Sequence, residues 1–439
     1  MSLPPATIAR LATAEKLLVV SDFDGTLAGF SPDIYAVPVN LDSVAALTRL
    51  AGLPDTHVAL LTGRHLEGLA EVCPLVAPVV LAGSHGSESA EHAVALTDSM
   101  LEKLSAVEEQ LAEFASHPVV YIEYKPFQRV AHAAALASTD QAAADSLLDA
   151  VMSIDIPGVR VTRGKNIVEF SVSEATKGTW LAAEIERVQP TVAVFIGDDA
   201  TDEDGFRSLR EGDVGVKVGE GETAATERIA DIPAVAELLT SLADARAAHL
   251  GLPRTVAERF EAISAGFSAE VHRVHDWSAA TPCEGWSARD IVNHLLTWYP
   301  ANLRNADVDL TFPADLQADP AGAWFEFVSA VRALLADPSL ADAPFTSGPD
   351  EGQTVARATA GFLLPDIFMH TWDLARSQGR DVTLDADYAA RNLAGLESLG
   401  DSLRETGRFG PAAQVSPDAS AGVRLMAYVG RDPGFGLEA

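Results

Sequence analysis

Lys16–Leu27 reads KLLVVSDFDGTL, and this stretch decides the fold. The apolar run Leu17–Val20 is typical of a strand buried on both faces of a parallel sheet. Asp22 and Asp24 follow it, and residues two apart at the end of a strand point to the same side. The carboxyl ends of such strands face the crevice where open α/β sheets bind ligands. The stretch therefore predicts an α/β fold with two carboxylates in a binding crevice.

Two carboxylates this close repel each other, so the site needs a cation, or a proton on one of them. Phosphoryl transfer meets both needs, with Asp22 as nucleophile, Asp24 as general acid and base, and Mg²⁺ holding the cluster. The simpler alternative is a strand followed by an Asx-type turn, without chemistry. Sequence further along the chain has to decide between the two.

Composition narrows the class of protein. A chain of 439 residues with 48% hydrophobic and 21% charged residues predicts a globular protein of two or three domains, and no apolar run is long enough to span a membrane. A formal net charge of −32 argues against nucleic acid and anionic membranes as partners. Cys73 and Cys283 form no metal or redox pattern, and no signal pattern precedes the first strand, so we expect a cytoplasmic protein.

Two further strand ends carry polar residues. The predicted strand His57–Leu61 ends in Thr62, whose hydroxyl could bond a phosphoryl oxygen or simply cap a helix. The next strand, Val79–Leu81, leads into a turn in which Gly83 and Gly86 flank Ser84 and His85. Two glycines at such a place indicate a tight turn or close approach of the backbone to a ligand.

A module of different character follows and predicts an inserted cap. Its predicted elements are helices at Asp98–Ser116 and Asp140–Ser153 and strands at Val119–Tyr124, Arg129–Ala133, Val159–Thr162 and Ile167–Val172. Its polar residues are candidates for substrate contacts, or for an ordinary solvated sheet face: Glu123, Lys125, His132, Lys165 and Glu169.

The strand–helix alternation then resumes with more charge. Lys177 opens a helix, where an ammonium could neutralise Asp22 and a phosphate although it opposes the helix dipole. The strand Val192–Ile196 delivers GDDATDED, and five of the seven residues starting at Asp198 are acidic. This density favours Mg²⁺; a solvated loop capping the next helix is the alternative.

The set DFDGT, LLTGR, helix-start Lys177 and GDDATDED resembles the haloacid-dehalogenase-like phosphatases. LAGSHGSE, IEYK and RGKNIVEF narrow the resemblance to the trehalose-6-phosphate phosphatase family, over Ala12–Leu239. It implies an aspartyl-phosphate on Asp22, with Asp24 protonating the leaving sugar oxygen and then activating water. The family often has Arg where this chain has Ala134, which puts the identity of the sugar in question.

The same resemblance implies the remaining roles. Thr62 and Lys177 would hold the phosphoryl group. The implied Mg²⁺ site comprises Asp22, the Asp24 carbonyl and Asp198, with Asp199 and Asp202 in support. The implied sugar-side residues are Arg64, His85, Glu123, Lys125, Lys165 and Glu169.

The chain beyond Gly251 differs in composition: all six lysines lie at or before Lys217, and five of six tryptophans lie later. Apolar residues at helical spacing predict a helical bundle with helices near Thr255–Val274, after Ser287, at Ala321–Leu335 and at Val355–Ser377. Asp366 and His370 share a helix face at i,i+4 spacing and could form a three-ligand metal site with His294. A satisfied bundle histidine and an ordinary surface pair are the alternatives.

WSAATPCEGWSARDIVNHLL, PDIFMHTWDLARSQG and RLMAYVGRDP resemble the DinB-like, mycothiol-dependent maleylpyruvate isomerase type of metal-binding protein. The resemblance implies a four-helix bundle with metal ligands at His294, Asp366 and His370, where Asp366 replaces the usual Glu. It also implies a second divalent metal, zinc or nickel, and chemistry with a low-molecular-weight thiol.

Together these patterns predict a multi-domain protein: a Rossmann-like α/β core with an inserted α+β cap, then an all-α bundle. We expect the core at 1–84 and 174–250, the cap at 85–173 and the bundle at 251–439. The expected function is Mg²⁺-dependent hydrolysis of trehalose 6-phosphate. Another sugar phosphate as substrate stays open, as does a bundle that regulates the phosphatase or catalyses its own thiol-dependent transfer or isomerisation. The sequence does not indicate the oligomeric state.

Overall fold

A computed structural model describes residues 3–31, 33–92, 94–117, 119–164, 166–348, 350–400, 402–405 and 409–437. The chain divides into two compact units, one of residues 1–43 and 55–242 and one of residues 44–54 and 243–439. Two of the three boundaries fall within the helices Leu41–Ala51 and Ile232–Leu250, and the third lies between Pro54 and Asp55. Within the described ranges, no helix has the length and apolar character to cross a membrane.

The described residues of the first unit form eleven strands. They are β1 (Leu17–Ser21), β2 (Thr56–Leu61), β3 (Val80–Gly83), β4 (Glu88–Ser89), β5 (Tyr121–Tyr124), β6 (Gln128–His132), β7 (Arg160–Gly164), β8 (Ile167–Ser171), β9 (Val192–Gly197), β10 (Val214–Val218) and β11 (Glu227–Ile229). The helices as far as residue 250 are α1 (Pro5–Ala12), α2 (Leu41–Ala51), α3 (Leu66–Ala70), α4 (Asp98–Ala115), α5 (Ala134–Ala137), α6 (Gln141–Met152), α7 (Lys177–Val188), α8 (Asp202–Ser208) and α9 (Ile232–Leu250).

A seven-stranded sheet forms the core of this unit, in the order β11–β10–β9–β1–β2–β3–β4. Every pairing is parallel except that of β3 with β4. Strand β1 lies in the middle and is buried along its whole length, as its unbroken apolar sequence predicts. Leu18 and Val20 pack with Leu181 of α7 and Phe195 of β9. The α/β core with a parallel sheet is therefore confirmed.

The insertion contains a second, antiparallel sheet in the order β5–β6–β8–β7. Its predicted elements are all present, although β5 begins two residues later than expected. Ile122 and Phe170 pack in a cluster with α4 and α6 residues on one face of this sheet. Because side chains alternate along a strand, Glu123 and Glu169 point to the other face.

The second unit is helical. Its principal helices are α10 (Val256–His272), α11 (Ala288–Leu303), α12 (Pro320–Ala336), α13 (Pro338–Ala341), α14 (Val355–Ala358), α15 (Leu364–Ser377), α16 (Ala386–Ser398), α17 (Ser402–Glu405) and α18 (Ala421–Tyr428). Ser287 caps α11 in a reciprocal box with Asp290, as their spacing predicts.

The predicted continuous helix Val355–Ser377 differs in the structure. A π-helical turn, Thr359–Leu363, lies between α14 and α15. The Thr359 hydroxyl donates to the Val355 carbonyl at 2.7 Å and meets the Tyr299 hydroxyl at 2.6 Å. A side chain that bonds the preceding turn competes with the regular helical pattern, which accounts for the irregularity. The turn lies directly before the helix that carries Asp366 and His370.

Candidate active site

The carboxyl ends of β1, β2 and β9 meet at one edge of the sheet. Ser21, the last residue of β1, pairs with Leu60 of β2 and Ile196 of β9. Asp22 therefore lies beside Thr62, the first residue after β2, and Asp198, the first residue after β9. The backbone N–H of Asp22 donates to the Ile196 carbonyl at 2.9 Å and holds this junction.

Three carboxylates and one ammonium share this edge. Ligand oxygens of Asp22, Asp198 and Asp202 all lie within 4.8 Å of one another. The Nζ of Lys177 donates to Oδ1 of Asp22 and to Oδ1 of Asp202, each at 2.7 Å. Lys177 is 3% exposed, so its charge acts on the carboxylates with little solvent screening. The first turn of α7 thus brings its ammonium into the acidic site, as the sequence predicts.

Asp202 has a structural task within this group. Its Oδ2 accepts the backbone N–H groups of Asp198 at 3.0 Å and of Asp199 at 2.9 Å, while its Oδ1 accepts from Lys177. The side chain is fully buried. It therefore fixes the loop after β9 and orients Lys177. Asp199 lies apart from the three clustered carboxylates: it is exposed, and its Oδ1 accepts its neighbour's N–H.

The charges at this site are strongly perturbed. Burial raises the pKa of the Asp22 carboxyl well above its usual range, although Lys177 acts against this. Burial and the charges of Asp202 and Asp199 raise the pKa of Asp198 to about 6. Burial alone would lower the pKa of Lys177, but Asp202 and Asp22 outweigh it and raise that pKa. Buried carboxylates that repel one another favour the binding of a further cation.

The donor set also has the chemistry that Mg²⁺ prefers. Oδ1 of Asp198 is buried and accepts no hydrogen bond from any described residue. Gly25 allows the Asp198 carboxylate to approach the backbone closely: a Cβ there would lie 2.1 Å from Oδ2 of Asp198, and its φ of +82° also favours glycine. Hard oxygen ligands that face a shared space suit a small divalent cation.

Asp24 has a different partner. Arg64 binds its carboxylate through two parallel hydrogen bonds, Nε to Oδ2 at 2.7 Å and Nη2 to Oδ1 at 2.6 Å. Thr62 is fully buried, and its hydroxyl oxygen accepts the N–H of Arg64 at 3.2 Å. The structure therefore pairs Arg64 with the predicted acid–base residue; its sugar-side role stays a prediction.

The remaining predicted sugar-side residues form a second polar group, where the cap sheet meets the loops after β2 and β3. Lys125 donates to the Gly63 carbonyl at 2.9 Å and lies 3.8 Å from carboxylate oxygens of both Glu123 and Glu169. His85 approaches Glu169 at 3.4 Å. Burial alone would raise the pKa of Glu169, yet His85 and Lys125 outweigh it and hold that pKa at about 2. Lys165 lies outside the described residues.

Two histidines complete this polar group. His132 meets Glu123 at 2.9 Å, and His65 lies 3.6 Å from the same carboxylate. His132 stands among the polar residues that the sequence indicates for the cap, but His65 does not. It directly follows LLTGR, and only the approach of the cap sheet shows that it faces Glu123.

The second unit brings together its three predicted ligands. Nε2 of His294 lies 3.0 Å from Oδ2 of Asp366, and Nε2 of His370 lies 3.4 Å from Oδ1 of the same residue. Trp298 donates its indole N–H to Asp366 at 2.8 Å. A cavity of about 470 Å³ opens beside His294 and is lined by Gly285, Trp286, Asp290, Asn293, His294, Thr297 and Trp298. The arrangement can hold a cation with positions left for a further ligand.

Comparison with known proteins places the first half of the chain. The family described as trehalose-phosphatase matches residues 20–232. The chain is 33% identical over 231 residues to a trehalose-6-phosphate phosphatase of Escherichia coli, which covers 49% of this chain and 82% of that protein. It is 31% identical to a trehalose-phosphate phosphatase of Mycobacterium ulcerans and to a bifunctional trehalose-6-phosphate synthase/phosphatase of Thermoproteus tenax, and spans 62% and 32% of their lengths.

Among solved structures, a C-terminal domain of a C. albicans trehalose-6-phosphate phosphatase is similar over 55% of this chain and 97% of that domain. The TM-score is 0.45 and the sequence identity is 21%.

Proposed function

The chain belongs to the trehalose-phosphatase family, and on that premise we propose that its first half hydrolyses trehalose 6-phosphate to trehalose and phosphate. The observation that carries the proposal is the buried contact of Lys177 with Asp22 inside a cluster of carboxylates at the end of the central strand. Such a contact places a cation beside a nucleophile, as transfer of an anionic group requires.

Each step follows from the chain's own residues. An oxygen of Asp22 attacks phosphorus, the bond from phosphorus to the sugar oxygen breaks, and Asp24 gives that oxygen its proton. Asp24 then takes a proton from water, whose oxygen attacks the aspartyl-phosphate and releases phosphate and free Asp22. Thr62 and Lys177 hold the phosphoryl oxygens. Arg64, which binds both oxygens of Asp24, orients that carboxyl group.

Mg²⁺ would be held by Asp22, Asp198 and the Asp24 carbonyl, with Asp199 and Asp202 in support. When bound, it supplies positive charge that keeps the carboxylates ionised and offsets the charge of the phosphate. Support for this assignment comes from the buried Oδ1 of Asp198, which has no hydrogen-bond partner among the described residues.

The sugar would be recognised where the cap sheet meets the core loops. We assign the core to 1–84 and 174–250 and the cap to 85–173. Glu123, Lys125, Glu169 and His85 are the proposed sugar contacts; their mutual ion pairs would give way to sugar hydroxyls. Because Ala134 stands where the family often has Arg, another sugar phosphate remains the competing substrate.

A substrate panel tests the proposal on the intact chain. Phosphate release is measured from trehalose 6-phosphate, other sugar phosphates and a small aryl phosphate. We expect the highest kcat/KM with trehalose 6-phosphate. Glu123→Gln should raise KM for that substrate and leave aryl phosphate hydrolysis nearly unchanged, whereas Asp22→Asn should remove both. A higher kcat/KM for another sugar phosphate would replace the assigned substrate and keep the mechanism.

For residues 251–439, which lie within the second unit, we propose a DinB-like four-helix bundle with a divalent metal at His294, Asp366 and His370. The supporting observation is that these three ligand groups converge and that one of them, His294, lines an open cavity. Two nitrogens and one carboxylate suit zinc or nickel. The metal would serve either a thiol-dependent transfer or isomerisation, or a regulatory function. Metal analysis of the intact chain after dialysis tests the site, and turnover with a low-molecular-weight thiol separates the two functions.

A further inference from the structure

His370 uses its two ring nitrogens in opposite directions. Nε2 faces the proposed metal ligands, 3.4 Å from Asp366. Nδ1 donates to Oδ2 of Asp373 at 2.9 Å, three residues further along the same helix. Asp373 is fully buried. A carboxylate that accepts one ring N–H leaves the lone pair of the other nitrogen for a metal.

Asp373 is itself held in place from two other parts of the chain. Arg431, which follows α18, donates Nε to Oδ1 and Nη2 to Oδ2, each at 3.2 Å. The Cys283 thiol donates to Oδ2 at 3.2 Å, and Arg431 Nη2 reaches its sulfur at 3.0 Å. Arg431 belongs to the motif RLMAYVGRDP, to which the proposed function gives no task.

Two overlapping groups could therefore compete for a cation. Cys283, His370 and Asp373 also offer three ligand atoms within 4.8 Å of one another. The guanidinium of Arg431 touches the Cys283 sulfur and both oxygens of Asp373, and it does not lose its proton in proteins. A fixed positive charge at that position opposes a metal there. The inner group is therefore a support, and the metal belongs with the outer one.

We propose that Asp373 is a positioning residue for the metal site, which holds the His370 ring with Nε2 toward the metal, and that Arg431 holds Asp373 in turn. This inference rests on the metal site proposed above. It ties the metal affinity of the second unit to residues that do not touch the metal. Outer partners of this kind typically contribute 10–100-fold to metal affinity.

The test is a titration of the intact chain with Zn²⁺ against a chelator, and with Co²⁺ followed by its visible absorption. We expect Asp373→Asn to weaken Zn²⁺ binding about 10–100-fold and to shift the Co²⁺ spectrum, because the ring is no longer held by a charged acceptor. Arg431→Lys should weaken Zn²⁺ binding by a smaller factor. This variant tests the proposal if Asp373→Asn does not fold.

Glu270→Gln is the matched control. Glu270 is a buried carboxylate of the same unit that accepts from Arg273 and Arg380, and no described contact joins it to the three ligands. It should lower stability and leave affinity and spectrum unchanged. Equal losses in Glu270→Gln and Asp373→Asn, or an Asp373→Asn and Arg431→Lys pair that matches the parent protein, would overturn the inference. A parent chain that binds no metal would overturn the metal site itself.

Discussion

Each of the two candidate sites combines acidic side chains with one basic side chain, but the basic group contacts different members of the two sites. In the first unit, Lys177 touches Asp22 and Asp202 directly, at 2.7 Å. In the second unit, Arg431 touches Asp373 and does not contact His294, Asp366 or His370 among the described interactions. An ammonium inside the cluster suits an anionic group that must be transferred. A cation that contacts Asp373, and not the ligands themselves, leaves the ligand atoms free for a metal.

The ligand atoms differ as well. The side chains grouped at the first site are carboxylates, whose oxygens suit hard cations such as Mg²⁺. The second offers two imidazole nitrogens and one carboxylate, which suit zinc or nickel. Acidic density alone therefore does not define a site, because the position of the fixed cation and the type of ligand atom differ between the two clusters.

The largest expected effect comes from the nucleophile. Asp22→Asn keeps the shape of the side chain and removes its nucleophilic oxygen, so phosphate release from trehalose 6-phosphate should fall on the order of 10⁴-fold or more. The measurement is kcat/KM with Mg²⁺ at saturation. Normal turnover by this variant would remove the distinction between the two clusters, since neither would then be tied to phosphoryl transfer.

Lys177→Met tests the cation inside the first cluster. We expect kcat to fall about 10²–10³-fold, the usual effect of losing one charged or hydrogen-bonding contact to a transition state. Lys16→Met is the control, because Lys16 donates to the Val188 carbonyl at the opposite end of β1. Circular dichroism should show both variants folded. Equal activity of the two would mean that the buried ammonium serves folding only.

His370→Ala probes the second cluster by itself. Metal bound after dialysis should fall below one tenth of that of the parent chain, because one of three ligands is lost. The rate of phosphate release should stay within about twofold, since the first site has its own ligands and cation. A large change in phosphatase rate would instead favour the regulatory function for the bundle.

Much of the first unit is predictable from sequence because each strand end carries its own signal. The fully apolar β1 and the acidic turn after β9 indicate their place in the sheet without knowledge of the fold. Strands β4, β10 and β11 are not predicted from the sequence. Of these, β4 and β11 are the two edge strands of the sheet, where short strands with partly polar sequence do not differ from loops.

The partners of individual side chains are harder to predict. Arg64 pairs with Asp24 and Arg431 with Asp373 across 40 and 58 residues of chain. Such pairs depend on the tertiary fold, and no local period in the sequence reports them. The buried role of Asp202 was hidden for the same reason: a helix start rich in acids looks solvated until the fold shows which one faces inward.

His272 is a buried ionisable group that belongs to neither of the two candidate sites. Its ring stacks on Phe325 with centroids 4.8 Å apart, and Nε2 has no hydrogen-bond partner in the described part of the chain. Burial lowers the pKa of His272 to about 4, from an ordinary 6.5. The unfolded chain therefore binds the proton more readily. The stability that neutral His272 contributes is complete above pH 6.5 and falls as the pH drops toward 4, by up to about 3 kcal/mol.

The measurement is denaturant unfolding of the parent chain and His272→Phe, followed by tryptophan fluorescence. Five of the six tryptophans lie at or after Trp277, so the signal reports the second unit. Between pH 7 and 4.5 the parent should lose more stability than the variant. Parallel losses would show that His272 does not resist protonation, and that burial alone does not separate it from the ligand histidines.

The smallest expected effect is at Asp204. Its carboxylate is exposed and pairs with Arg207 of the same helix at 3.3 Å, a contact worth ~0–1 kcal/mol. Asp204→Asn should leave kcat/KM and the Mg²⁺ requirement within about twofold of the parent. Asp198→Asn, the same change on a carboxylate of the buried cluster, should be far more damaging. If both variants lost activity alike, the number of acidic residues in the loop would matter more than their geometry, and the contrast between a carboxylate beside Lys177 and one in solvent would no longer explain the site.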